Sequence, residues 1–209
     1  MLIWKPYMEQ IENWPNSGRH ILAQYSDDTI IIYQAFHPEI AKFAVSHQKF
    51  GGPFSLNRMS WIKPNFLWMM YRCGWASKAG QERVLAIRLQ RAAFETILSR
   101  SIPSVFTSSL FNSEVEWHKA GVNSDVRIQW DPDHDPFGRP LSRRAIQLGL
   151  RGATLQTYAK EWILEIEDIT EIVIENREHV FNKNLNKLIC PYERVYELSD
   201  ETISRQIYY

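Results

Sequence analysis

Residues 126–131, VRIQWD, give the clearest strand pattern in the chain, and the fold class follows from what surrounds them. Val126, Ile128 and Trp130 alternate with polar residues, and successive side chains of a strand point to opposite faces. One face is therefore apolar, and the other carries Gln129 and Asp131. We expect a half-buried strand with one polar face.

The segments on both sides of this strand alternate between strand and helix patterns without the regular βαβ spacing of a parallel sheet. We therefore expect one compact α+β domain over residues 1–209, with a mixed or antiparallel sheet and flanking helices. The expected strands are residues 19–25 and 29–36, joined as a hairpin, 83–90 and 162–168; the expected helices are 38–47, 64–72, 91–100, 154–162 and 169–182.

Three segments have weaker patterns. Residues 101–124 are rich in Ser and Asn and predict irregular structure. Residues 131–140, DPDHDPFGRP, contain three Pro and one Gly, which predicts a stiff loop. Residues 143–150, RRAIQLGL, fit either a strand or a helix.

Composition limits the class of protein. The chain has 209 residues, is 44% hydrophobic and has no net charge, which argues against a general nucleic-acid coat protein. Its two cysteines, Cys73 and Cys190, form neither a disulfide framework nor a zinc spacing. Since there is no signal peptide and no apolar run of about 18 residues, we expect a soluble cytoplasmic protein with no membrane contact.

The charges are distributed in blocks. Residues 40–81 contain six Lys or Arg and no Asp or Glu, and residues 136–160 contain five more cations and no acid. Such blocks are either solvated faces balanced by acids elsewhere in the fold or sites for an anionic ligand. In residues 58–75 the cations alternate with aromatics, so some of them should lie near buried surface, where an unpaired charge is unfavourable.

The motif search is mostly negative. The chain has no GxGxxG, GxxxxGK[ST], HExxH, GxSxG or CxxC sequence. Asp131, Asp133 and Asp135 surround His134 in DPDHD, which could hold a divalent cation, but Pro132 and the missing calcium-loop register favour a plain turn. We therefore predict no metal site.

Two candidate sites lie near the first expected hairpin. Arg19 and His20 stand at the entrance of a strand, where the alternative is an ordinary solvated end. Tyr33 and Gln34 are polar tips on a strand of isoleucines, where the alternative is a buried hydrogen bond within the core.

A third cluster comprises Arg58, Trp61, Lys63, Tyr71 and Arg72. Cations between aromatic faces suit a nucleotide or an unpaired base. The alternative is an aromatic core whose cations extend to the surface.

A fourth cluster comprises Gln129, Asp131, Arg143, Arg144 and Gln147. Paired guanidinium groups suit phosphate because each can bind two oxygens. Ion pairs with the acids of DPDHD are the alternative.

Four strings resemble the recurring blocks of the family known as domain of unknown function 4291, over about residues 5–182. The resemblance implies one complete domain and brings no established activity. The strings are RHILAQYSDDTIIIYQAF (19–36), RMSWIKPNFLWMMYRCGW (58–75), VRIQWDPDHD (126–135) and RRAIQLGL (143–150).

At the level of fold, the chain is also similar to ADP-ribosyltransferases, which are α+β domains that bind NAD without a glycine fingerprint. This analogy is associational. Those enzymes use an Arg or His on the first core strand and a Tyr or Ser on the next. The analogy implies that Arg19 or His20 takes the first role and Tyr33 the second. The late acidic motif of that family is not evident, although residues 164–168, LEIED, contain its letters.

Three functions follow as hypotheses. The first is an NAD-using ADP-ribosyltransferase-like enzyme with catalytic Arg19, Tyr33, Gln129 and Asp131, whose cofactor is held by Arg58, Trp61, Lys63, Tyr71, Arg72, Arg143 and Arg144. The second is a non-catalytic module that binds single-stranded nucleic acid through residues 58–78 and the arginines of the second block. The third is a structural or partner-binding domain with no anionic ligand. The expected partner is a phosphate-bearing small molecule or nucleic acid.

Overall fold

The computed structural model describes residues 2–198 and 200–209, and its strands form two main sheets. The strands are β1 Trp4–Pro6, β2 Gly18–Arg19, β3 Leu22–Ala23, β4 Thr29–Phe36, β5 Ser60–Ile62, β6 Arg83–Gln90, β7 Ser101–Pro103, β8 Val126–His134, β9 Pro140–Leu150, β10 Ile163–Asp168, β11 Ile189–Pro191 and β12 Arg194–Val195. The helices are α1 Tyr7–Ile11, α2 Pro38–His47, α3 Phe66–Cys73, α4 Arg91–Ser99, α5 Glu114–Asn123, α6 Gly152–Thr157, α7 Thr170–Phe181 and α8 Glu201–Ile207.

One sheet is mixed and the other is antiparallel. The mixed sheet has the order β2-β9-β8-β7, with β5 also paired to β9; the β2–β9 and β7–β8 pairings are parallel. The antiparallel sheet has the order β10-β6-β4. Short pairs β1–β11 and β3–β12 lie outside both sheets. Together with the helices, this confirms the α+β class.

Alternation along β4 divides the hydrophobic interior into two cores. Ile30 and Ile32 point into the main core, which also receives Ile128 of β8. Ile31 and Tyr33 point to the opposite face, into a second core built around α3. Both faces of β4 are therefore buried, as the alternation of side chains along a strand requires.

A short segment joins the two sheets. The strand β5 pairs with β9, and the next residue after it, Lys63, forms a bridge with Tyr33 of β4. The backbone N–H of Tyr33 donates to the carbonyl of Lys63 over 2.7 Å. This link places the side chains of β5 and Lys63 at the junction between the sheets.

Several predicted elements are confirmed almost to the residue. The helix α2 begins with Pro at its first position. The strand β6 is followed directly by the helix α4. The helix α7 matches the helix expected over residues 169–182. The segment 143–150, which fitted strand or helix, is strand.

Other predictions are wrong. The segment 19–25 does not form the long arm of a hairpin: it is divided between β2, which pairs with β9, and β3, which pairs with β12. Residues 101–124 are not irregular, because they contain β7 and α5. The DPDHD segment is not wholly a loop, since β8 continues to His134 and the turn begins after it.

None of the helices in the described residues is long and apolar enough to cross a membrane.

Candidate functional site

A cleft of about 750 Å³ opens where the end of β4, the segment 53–63, α3 and the polar face of β8 and β9 meet. Five residues predicted to be catalytic or to bind the cofactor line it: Arg58, Trp61, Lys63, Arg72 and Gln129. They come from separate parts of the sequence, and the fold brings them together. The polar residues Gln34, His37, Ser60, Gln81 and Gln147 complete much of the lining.

Lys63 is the most buried cation of the cleft, with 5% of its surface exposed. Its Nζ has one long hydrogen bond, 3.4 Å to the carbonyl of Trp61, and lies 5.1 Å from the ring centre of Trp68. Burial lowers the pKa of Lys63 from 10.5 to about 7, and the positive charge of Arg72 contributes to this. The charged form of this amine is therefore disfavoured relative to that of an exposed lysine.

Arg58 and Arg72 are exposed and also face the cleft. Within the described part of the chain, neither they nor Lys63 form an ion pair with a carboxylate. These three cations share one cleft, and among the described residues none of them forms an ion pair with a carboxylate.

Gln34 fixes one wall of the cleft. Its amide nitrogen donates to the hydroxyl of Ser60 over 3.0 Å and to the carbonyl of Trp61 over 2.9 Å. Its amide oxygen accepts from the hydroxyl of Tyr158 over 2.6 Å. The amide is thus held at both ends, and it anchors β5 to β4.

A carboxylate, Asp131, lies on the sheet face that carries Gln129 and Gln147. Each of its oxygens accepts a hydrogen bond of 2.7 Å, one from the amide of Gln129 and one from that of Gln147. Gln129 and Gln147 are direct partners across β8 and β9 and both line the cleft. Asp131 also acts electrostatically on Lys63, in the direction that favours its charged form.

The second cationic block is partly neutralised within the fold. Arg143 forms a buried ion pair with Asp133 at 2.7 Å and donates to the carbonyl of Pro15. Arg139 pairs with Asp135 at 2.7 Å. Arg151 donates to backbone carbonyls, including that of Ser124. Arg143 does not line the cleft, and its guanidinium group is already bonded to Asp133 and Pro15, so the structure does not bring it to the other predicted site residues.

Arg19 and Arg144 lie outside the cleft lining. They are paired neighbours in the β2–β9 ladder, at the end of β9 opposite to β5. The guanidinium group of Arg19 stacks 4.4 Å from the ring centre of Tyr209, and Arg144 is exposed. The structure does not bring these two residues to the other predicted site residues.

Tyr33 and Tyr71 also point away from the cleft. Tyr33 is fully buried in the second core, where burial raises the pKa of its hydroxyl well above the usual value. Tyr71 stacks on His134, with ring centres 3.5 Å apart, and lines a separate apolar pocket on another side of α3. Of the four predicted catalytic residues, Gln129 lines the cleft and Asp131 is bonded to its lining.

The three carboxylates of DPDHD have different partners. Asp131 binds two glutamines, Asp133 binds Arg143, and Asp135 binds Arg139. Over the part of the chain that the structure describes, no group of three His, Cys, Asp or Glu residues is placed to hold a metal ion.

The LEIED segment is part of β10, at the edge of the antiparallel sheet. Glu165 forms an ion pair with Arg88 at 2.7 Å, and neither Glu165 nor Glu167 lines the cleft. The acidic letters of this segment are therefore not placed to act with Lys63 or Arg72.

Sequence reasoning missed some of the cleft. His37 directly precedes the expected helix 38–47, and Ser60 lies within the block of cations and aromatics, 58–75; neither is among the predicted site residues. Neither has a local sequence signal, because their positions depend on the pairing of β5 with β9 and on the end of β4.

The arrangement suits an anion with an attached polar group. Guanidinium groups at the surface can hold phosphate oxygens, amides can bind hydroxyl or ring groups, and an amine and a carboxylate lie at or beside the inner wall.

Comparison with known proteins gives a family. A family model described as Domain of unknown function (DUF4291) matches residues 20–196. No curated protein matches the chain.

Proposed function

The chain belongs to the DUF4291 family, whose description names no activity, and we propose from the cleft that it binds a phosphate-bearing small molecule of nucleotide size. One observation carries this proposal. Arg58, Lys63 and Arg72 converge on one cleft without an ion-pair partner among the described residues.

The energetic argument concerns Lys63. A buried charge is unfavourable by several kcal/mol unless a partner compensates it. Elsewhere in this protein the buried cation Arg143 has its carboxylate, Asp133. Lys63 has no ion pair among the described residues, and burial lowers its pKa to about 7 instead, so a bound anion would supply a partner for its charged form.

The size of the cleft supports a nucleotide-sized ligand. Binding sites for small molecules commonly enclose about 300–1,000 Å³, and this cleft has about 750 Å³. Trp61 offers an aromatic surface for a base, and Gln129 and Gln147 offer amides for ring or ribose groups.

Calorimetric titration tests the proposal. Inorganic pyrophosphate, adenosine diphosphate and NAD are titrated into the protein, with adenosine as the uncharged comparison. We expect Arg72→Ala to weaken the phosphate-bearing ligands by about tenfold or more, since a hydrogen bond to a charged group contributes roughly 1.5–3 kcal/mol.

The matched control removes a positive charge outside the cleft. Lys119 is exposed on α5 and does not line the cleft, so Lys119→Ala should bind like the wild type. Equal losses in both variants, or no binding of any phosphate-bearing ligand, would contradict the proposal.

A second candidate is NAD-dependent ADP-ribosyl transfer, and one observation favours it. The carboxylate of Asp131 is oriented by hydrogen bonds from the amides of Gln129 and Gln147, and it acts electrostatically on Lys63. In this candidate, Arg58 and Arg72 hold the pyrophosphate of NAD and Trp61 stacks on a ring. Asp131 stabilises the positive charge that develops when the bond to nicotinamide breaks.

Release of nicotinamide measures this activity. Wild-type protein is incubated with NAD, alone and with RNA, DNA or protein acceptors. Asp131→Asn should abolish release while the pyrophosphate affinity is retained; absence of release from wild type under every condition removes this candidate and leaves the binding proposal intact.

A further inference from the structure

Lys63 occupies a different depth of the cleft from the two arginines. It is 5% exposed, whereas Arg58 and Arg72 are exposed at the surface. A phosphate group held by the guanidinium groups would therefore leave the amine free to meet another part of the same ligand.

The surroundings of Lys63 also keep its nitrogen available. Its single hydrogen bond, to the carbonyl of Trp61, is long at 3.4 Å, and the face of Trp68 covers one side. Because burial and Arg72 lower its pKa to about 7, a large share of the amine carries a free lone pair near neutral pH. Amines activated in this way are nucleophiles toward carbonyl carbon.

We propose that Lys63 is the nucleophile of the cleft and forms an imine with a phosphorylated aldehyde or ketone. This inference rests on the proposed function, because the phosphate group must first be held by Arg58 and Arg72. It adds a substrate class and a covalent step to the binding role.

The step is balanced without a further reactant. The nitrogen of Lys63 attacks the carbonyl carbon, a C–N bond forms, and the carbonyl electron pair moves to oxygen. Both amine protons pass in turn from nitrogen to that oxygen, the C–O bond breaks as the nitrogen lone pair forms the C=N bond, and water leaves. Amine and carbonyl compound become imine and water.

Three charged or titratable groups influence this amine. Arg72 on α3 disfavours its protonated form, whereas Asp131 on β8 and Cys73 on α3 favour it. Asp131 would also stabilise the positive charge of a protonated imine. Reaction at Lys63 should therefore increase with pH through a midpoint near 7, well below that of an ordinary surface lysine, near 10.4.

Pyridoxal 5′-phosphate serves as the phosphorylated aldehyde probe, with pyridoxal as the same aldehyde lacking phosphate. After borohydride reduction, peptide mass spectrometry of the intact chain locates each adduct. We expect pyridoxal 5′-phosphate to label Lys63 at a concentration about tenfold or more below that needed to label the exposed Lys42 and Lys49. The reason is that anchoring of the phosphate group contributes at least one charge-assisted hydrogen bond. Inorganic pyrophosphate should suppress the Lys63 adduct, and pyridoxal, which lacks the phosphate anchor, should need a higher concentration than pyridoxal 5′-phosphate to label it.

Two results separate this inference from the proposed function. If pyrophosphate binds in calorimetry but Lys63 is labelled no more readily than Lys42, Lys63 is not a nucleophile and the binding role stands. If pyrophosphate does not bind and Lys63 is not labelled, both fall. Adduct mapping on wild-type protein decides the matter even where Lys63→Met does not fold.

Discussion

Two buried cations of this protein are compensated in different ways. Arg143 is 6% exposed and pairs with Asp133, which is 1% exposed. Burial raises the pKa of Asp133, and the charge and hydrogen bonds of Arg143 oppose that rise. Lys63 is equally buried but has no such partner among the described residues. Arg143 therefore serves stability, and Lys63 is the residue available for a ligand.

Arg143→Met should lower the free energy of unfolding by about 3–5 kcal/mol, because it leaves the Asp133 carboxylate buried and unpaired. Urea unfolding followed by circular dichroism measures the change. The matched control is Arg144→Met, one residue further along the same strand, whose exposed side chain should change stability by less than about 0.5 kcal/mol. Similar losses for both variants would contradict the assignment.

Lys63 should give stability a pH dependence. Its pKa is lowered from 10.5 to about 7 in the folded chain, so between these values the unfolded state binds more protons. Stability contributed at this site therefore rises with pH across that window and is lowest below pH 7.

The comparison with Lys63→Met isolates this contribution. From pH 7 to pH 10, wild type should gain stability relative to the variant, by up to about 1.4 kcal/mol per pH unit. Urea unfolding at several pH values measures both proteins. Parallel stability curves would mean that Lys63 has an ordinary pKa in the folded state.

At the scale of elements, α3 carries Arg72 and begins beside Lys63. Asn65 is buried and caps this helix: its side-chain oxygen accepts from the backbone N–H of Trp68 over 2.7 Å. The backbone N–H of Phe66, the first residue of α3, donates to the buried carboxyl group of Glu193 over 2.7 Å. The start of α3 is thus fixed by two side-chain acceptors.

Asn65→Ala should reduce stability by about 1–2 kcal/mol through loss of the cap. It should also weaken pyrophosphate binding, because α3 positions Arg72. The hydroxyl of Ser113 caps α5 in the same way, accepting from the backbone N–H of Glu116 over 3.2 Å. Ser113→Ala removes this cap and should leave the affinity for pyrophosphate unchanged. If the two variants bind pyrophosphate equally well, the orientation of α3 does not matter for the cleft.

Sequence patterns predicted elements with local signals and missed those that depend on distant pairing. Proline and apolar spacing located α2, β6 and α4. The strand β7 has three residues and exists through its parallel pairing with β8, so the local sequence could not reveal it. Among the residues of α5, Gly121 is the buried one, so the helix lacks the apolar stripe that identifies a helix in sequence.

The candidate site was predictable in part for the same reason. The mixture of cations and aromatics in residues 58–75 located Arg58, Trp61, Lys63 and Arg72 correctly in one cleft. Tyr71 precedes Arg72 in sequence but faces another side of α3. Helical spacing shows that the two side chains point in different directions, but it does not show which parts of the fold lie against each side.

At the scale of the whole molecule, zero net charge conceals an unequal distribution. The block 136–160 is partly neutralised by its own ion pairs, at Arg139 and Arg143, and by backbone acceptors for Arg151. The cations in the block 40–81 have no ion pairs with carboxylates in the described residues. Three of these six cations, Arg58, Lys63 and Arg72, line the cleft.

This distribution predicts a shallow salt dependence for any binding of single-stranded nucleic acid. With three cleft cations available, the slope of log affinity against log salt should be no steeper than about −2, at about −0.7 for each phosphate contact. Fluorescence anisotropy with a short labelled RNA at several salt concentrations measures it. A much steeper slope would require the second block and favour the nucleic-acid-binding module.

The most direct test of the central claim is a crystal structure of the protein with bound pyrophosphate. We predict density for a phosphate group in the cleft, within hydrogen-bond distance of the guanidinium groups of Arg58 and Arg72, with the amine of Lys63 directed toward the same space. Pyrophosphate found only on cations outside the cleft, such as Arg144, with the cleft occupied by water alone, would contradict the account.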